Sequence, residues 1–188
     1  MTVRGGVAIL YKLHAFEAHP PPTVIDDALF DTINQRSDVV LSSASASGVP
    51  SLCWGMAGRL LADRCTVEAW VREDQARQFL ADVRATGRVA AVFSEPYTNI
   101  AVQFKGQGAS VRPASREDEG FLRVHVNHMV HELARVNFAE FFVRNFFEQG
   151  WTMLAVVRFT APQVFMQTPG PRAGQPLVAA DEERGRAA

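Results

Sequence analysis

The chain is poor in cysteine. Cys53 and Cys65 are the only two in 188 residues. They fall in neighbouring predicted strands, and nothing else suggests a disulfide framework. A reduced, cytoplasmic setting is the natural expectation. Long apolar runs are also missing. Val7–Leu10 is apolar, but Lys12 and His14 interrupt its continuation, so the run is too short to span a bilayer. No convincing small-residue cleavage site follows, and neither export nor a membrane span is expected. The formal net charge is −1, which gives no global basic field to attract nucleic acid. Neither a Gly-x-Ser-x-Gly elbow nor a Gly-x-Gly-x-x-Gly loop occurs. No internal repeat is visible.

Bulky apolar residues, by contrast, are plentiful. Thirteen phenylalanines and three tryptophans can fill the core of one domain of this length. Residues 1–22 end in His19-Pro20-Pro21-Pro22 and read as an extended arm, because consecutive prolines fit neither a helix nor a ladder. Residues 23–177 form the expected domain. Residues 178–188 are rich in Ala and charge and read as a disordered tail.

Thr23 can cap a helix over Ile25–Gln35, with Ile25, Ala28, Leu29, Thr32 and Ile33 near one face. The period then changes to two. Val39–Ser45, Ser51–Leu60 and Cys65–Val71 read as an antiparallel meander joined by tight turns. Asp74 is placed to cap a helix through Val83, with Gly87 past its end. Val89–Ser94 and Asn99–Val111 are further strands. In the latter, Ile100, Val102 and Phe104 alternate with Ala101, Gln103 and Lys105, and Gly106 and Gly108 predict a bulge. Ser115-Arg-Glu-Asp118 resembles a capping box and opens a helical region to Gln149, broken near Val136–Phe138. Trp151–Phe159 and Val164–Gln167 read as two closing strands. This pattern implies an α+β fold in which a curved sheet closes on itself to hide its edges.

Several segments in one order carry a resemblance. They are Leu41–Pro50 leading to Cys53-Trp-Gly-Met-Ala-Gly58, then Val71–Leu80, Thr86–Phe93, Val102-Gln-Phe-Lys-Gly106 and Val164–Gly174. Together they resemble the pyridoxamine 5′-phosphate oxidase-like split barrels, over about residues 25 to 175. The resemblance implies a six-stranded antiparallel split β-barrel with flanking helices. It also implies a homodimer that binds FMN at the subunit interface, and a flavin-dependent oxidoreductase activity. Better-characterised oxidases carry a Ser-Arg-Lys phosphate clamp where Asp74-Gln75-Ala76 stands here, with Arg77 next. The clamp lysine is missing, which favours a second reading, a non-catalytic module binding another ligand or a partner. A third reading is haem binding through a histidine-rich helix.

Given that resemblance, candidate flavin contacts follow from residue chemistry. Arg72 ends the third strand and Arg77 opens the next helix. An arginine fork suits a phosphate, and a helix N-terminus adds donors. Gln103 suits the flavin's pyrimidine edge, and Lys105 places charge beside it. Trp54 can support a planar ring, with Gly55 permitting close backbone approach. Gln167 and Thr168 precede the rigid Pro169-Gly170-Pro171 turn and offer hydrogen bonds at the site. Ser42, Ser43, Ser45 and Ser47 read as a solvated strand face. His125, His128 and His131 fan across about 120° of a helix, a weak metal-ligand pattern without the zincin Glu or any cysteine.

Overall fold

A computed structural model of the protein describes residues 25–177. The proline-rich arm, the Thr23 cap and the tail beyond Leu177 lie outside the described residues.

Helix α1 (Asp27–Arg36) leads into strands β1 (Asp38–Ala44), β2 (Pro50–Leu60) and β3 (Thr66–Arg72). Helix α2 (Arg77–Thr86) and strands β4 (Val89–Ser94) and β5 (Ala101–Pro113) follow. Helices α3 (Asp118–Ala134) and α4 (Glu140–Glu148) precede strand β6 (Leu154–Met166). The six strands close into an antiparallel barrel in the order β1-β2-β3-β6-β5-β4. Closure leaves no unpaired edge.

Alternation decides what faces inward. Val39 and Leu41 on β1, Val67, Ala69 and Val71 on β3, and Phe93 and Phe104 on β4 and β5 fill the barrel. Phe93 meets Phe104 edge to face at 5.6 Å. Phe79, Leu80 and Val83 of α2 and Ile33 of α1 join the same core. A bulge at Met56 shifts the β2–β3 register. Met56 and Ala57 therefore both face outward, into a second core with Trp70 and Val156 beneath Leu122, Val126 and Met129 of α3 and Val143 and Phe147 of α4. Helices α3 and α4 therefore cover the outer face of β2, β3 and β6.

Four elements differ from the sequence expectations. Asp26 caps α1, its Oδ1 accepting from the Leu29 amide at 2.8 Å. Asp74 does not cap α2, which starts at Arg77 after an uncapped Ala76; the Asp74 carboxylate is engaged by Arg72 instead. The helical region after Ser115 begins at Asp118, whose carboxylate accepts from the Ser115 amide at 2.7 Å. Its break falls where expected, at Asn137, in the left-handed region with φ 67°. The two closing strands are one strand, and Trp151–Met153 is a 3-10 turn before it. The strand runs through Pro162 because the register shifts between the Lys105–Gln163 and Gln107–Thr160 pairs. No ladder donor is needed there.

Candidate functional site

Strand register brings dispersed residues into one row on the barrel's outer face. The Gly55–Val71 pair sets Trp54 opposite Arg72. Trp54 pairs with Val40, Val40 with Val92, Val92 with Gln103, and Gln103 with Phe165. Outward-pointing side chains along such a row are neighbours, roughly 4.8 Å apart from strand to strand. The row thus runs from a guanidinium, across an indole and two valines, to a carboxamide. The adjacent row carries Leu52, Ser42, Ala90 and Lys105. Leu52 is 68% exposed and Trp54 51%. Val40, Val92 and Gln103 are half-buried.

The Gln103 end is organised by the chain's last turn. The Gln103 Oε1 accepts from Gln167 Nε2 at 3.2 Å. The backbone amides of Gln167 and Thr168 both donate to the Ala101 carbonyl, at 2.7 and 3.1 Å. The Thr168 hydroxyl accepts from the Ala101 amide at 3.0 Å. Gln167 and Thr168 therefore clamp the start of β5 and orient the Gln103 amide. Lys105 is exposed, with its ammonium 4.6 Å from the centre of the Phe165 ring.

The Arg72 end opens on a groove of about 400 Å³ lined by Glu73, Asp74, Arg77, Leu80, Arg84 and Met153. Arg72 grips Asp74 with both arms of its fork, Nε to Oδ1 at 3.1 Å and Nη2 to Oδ2 at 2.8 Å. The guanidinium holds the Asp74 carboxyl below its ordinary range, and the carboxylate raises the arginine in return. Gly150, with φ 79°, lets the chain pass the guanidinium: an added Cβ would lie 3.3 Å from Arg72 Cζ. At the Trp54 position α4 borders the face, and Phe146 meets the indole edge to face at 6.4 Å.

Other expectations resolve differently. Gly55 faces inward, and a Cβ there would overlap the Val39 side chain. Its closeness serves barrel packing and not a ligand on the Trp54 side. Ser42 alone of the serine run stands in the outer row; Ser43 is buried and donates to the Arg88 carbonyl at 2.8 Å. Ser45 and Ser47 pair with each other in the turn. The three histidines do not converge. His125 is buried between the rings of Phe121 and Phe147, at 6.1 and 6.0 Å. Burial first, and the nearby His128 second, push its pKa down to about 4. His131 is exposed. Among the described residues no group of three His, Cys, Asp or Glu side chains is placed to hold a metal ion.

Sequence reasoning missed Arg84, Met153 and Phe146. Arg84 was legible, since it lies seven residues after Arg77 on the same helical face. Phe146 was not, because its approach to Trp54 is set by how α4 packs.

A flavin is the group expected from the sequence resemblance, and its two ends fare differently. The open indole, the half-buried valines and the oriented Gln103 amide suit a planar ring with a polar edge. The groove near Arg72 is charge-balanced, two guanidinium groups facing two carboxylates with the Arg72 fork already filled. It suits a phosphate less well.

No family model matches the chain, and no curated protein does. Solved structures do resemble it. HupZ of Group A Streptococcus is 17% identical, with a TM-score of 0.51 over 80% of this chain and 100% of that one. A Clostridium acetobutylicum protein of the pyridoxinephosphate oxidase family is 9% identical, with a TM-score of 0.48 over 84% and 99%. A pyridoxamine 5′-phosphate oxidase-related, FMN-binding protein from Nostoc punctiforme is 9% identical, with a TM-score of 0.40 over 77% and 80%. At such identities the likeness is one of fold. Among the described residues no helix is long and apolar enough to cross a membrane. The chain is a closed six-stranded antiparallel barrel with flanking helices, a fold it shares with HupZ.

Proposed function

We propose that the protein is a flavin-binding homodimer, with FMN as its cofactor and a flavin-dependent oxidoreductase activity. The observation that carries this reading is the outer row that joins Arg72, Trp54 and Gln103 on an open apolar face. Those residue types supply an aromatic surface and an amide for the pyrimidine edge, with the Asp74-paired Arg72 toward the phosphate end. The face is self-complementary in chemistry, apolar at its centre and polar at both ends, as an isologous contact between two copies requires. A second copy laid on it would bury Leu52 and Trp54 and close the flavin site from above.

A bound flavin supplies the hydride or electron transfer. The chain's residues hold and orient it. Gln167 and Thr168 fix the Gln103 amide, Lys105 places positive charge on the same face, and the valines exclude water. Arg72 and Arg77 stand at the phosphate end. Both cysteines are free thiols, which suits a reducing, cytoplasmic compartment.

The second reading, a non-catalytic binding module on the same barrel, is favoured by one observation: the Arg72 fork is occupied by Asp74. The test is spectroscopic. Purified protein should carry or take up FMN, with the flavin absorbance coeluting at the mass of a dimer in gel filtration. Colourless protein that leaves added FMN fully fluorescent refutes the flavin reading.

A further inference from the structure

We infer that Asp74 acts as an internal competitor for the cofactor's phosphate, so that the protein binds flavins with little preference for FMN over riboflavin and exchanges them readily. The inference rests on the flavin reading above and deepens it.

The geometry supports it at three points. First, Asp74 matches the Arg72 fork with two parallel hydrogen bonds, at 3.1 and 2.8 Å. This is the bidentate arrangement an arginine offers a phosphate. A phosphate can use Arg72 only by displacing that carboxylate, so one anion replaces another and the arginine gains no bond. Second, the groove already carries carboxylates of its own. Asp74 lines the groove together with Glu73, facing Arg77 and Arg84. A phosphate monoester carrying roughly −1.5 to −2 charge at neutral pH meets two carboxylates along with the guanidinium groups. Third, the competitor is held in place from both sides. Gly150 leaves room for the Arg72 guanidinium to lie flat beside the backbone, and the Glu73 amide donates to the Met153 carbonyl at 2.9 Å. The segment that carries Asp74 is thus tied to the floor of the groove.

The ring end of the row carries no competing charge. Trp54 and Gln103 are open to a ligand whether or not it carries phosphate. Binding energy therefore comes mainly from the ring, which FMN and riboflavin share.

Fluorescence-quenching titrations of the full chain with FMN and with riboflavin test this, using wild type, Asp74→Asn, and Asp74→Asn combined with Arg72→Gln. Asparagine keeps the shape of the side chain and removes its charge at a partly exposed position, so the fold is retained. Wild type should bind the two flavins within about tenfold of each other. Asp74→Asn should tighten FMN by about tenfold or more, the scale of one charge-assisted hydrogen bond, and leave riboflavin unchanged. The double variant should lose that gain.

Wild type that prefers FMN by a hundredfold overturns the inference and leaves the flavin reading standing. So does a gain that persists without Arg72, because Asp74 would then act only through its field. Failure of every protein to bind either flavin overturns both.

Discussion

Replacing His125 by leucine should remove a large part of the protein's sensitivity to mild acid. His125 lies in the second core, between Phe121 and Phe147, and is 2% exposed. It is neutral there, with a folded pKa of about 4 against an ordinary 6.5. In the unfolded chain it gains a proton as pH falls below 6.5, whereas in the folded chain it resists until about pH 4. The unfolded state therefore binds more protons across this window, and stability must fall as pH drops through it. By linkage the loss is about 2 kcal/mol at pH 5 and approaches ~3 kcal/mol near pH 4. For a domain of this size, 2 kcal/mol corresponds to about 4–8 °C in Tm. Leucine is close to histidine in volume, so the core should accommodate it at a cost below about 1.5 kcal/mol. The assay is thermal unfolding by near-UV circular dichroism at pH 7 and pH 5 for wild type and His125→Leu. The wild-type Tm should drop more than the variant's, by roughly the stated amount. Equal drops would refute the assignment of His125 as a buried neutral histidine.

Two further perturbations probe the barrel's two faces. Val92→Arg places a charge in the middle of the outer row and should convert the proposed dimer to monomer in sedimentation velocity, with the far-UV spectrum unchanged; a dimer that persists would place the subunit contact elsewhere. Gly55→Ala should cost about 1–3 kcal/mol in urea unfolding, because its methyl group overlaps Val39 inside the barrel. A neutral effect would show that Gly55 does not pack as described.

The strands were legible because each obeys a two-residue period with turn residues at its ends. Val67, Ala69 and Val71 on one face of β3 and Val102 and Phe104 on β5 point inward as their alternation requires. Reading failed where a tertiary contact outweighed a local signal. Asp74 has the chemistry of a helix cap, yet an arginine two residues earlier takes its carboxylate. Ala161-Pro162 looks like a strand break, yet a bulge in β6 itself, where residues 161 and 162 oppose Gly106, leaves the proline with no donor to supply. The candidate site was half legible. Arg72, Trp54 and Gln103 can each be picked out by type. That they share one row depends on four strand registers and on barrel closure, which no single segment encodes.

The same row sets what a second copy, laid on it as proposed, would gain. Trp54 is about half exposed, so covering it removes on the order of 100 Å² from water, worth about 2.5 kcal/mol per copy. Two copies give about 5 kcal/mol, near the lower end of the ~4–15 kcal/mol that association costs in lost freedom. Trp54 alone therefore cannot hold a dimer together. Leu52, more exposed still, and the half-buried Val40 and Val92 must contribute. One charge at Val92, beside Gln103 and away from Trp54, should therefore be enough to separate the proposed subunits. It also ties assembly to ligand binding. In the proposed dimer the surface that associates is also the one that would face the flavin ring, so a bound ring would add apolar area to the contact. Flavin should accordingly tighten the dimer, and dilution should release the flavin.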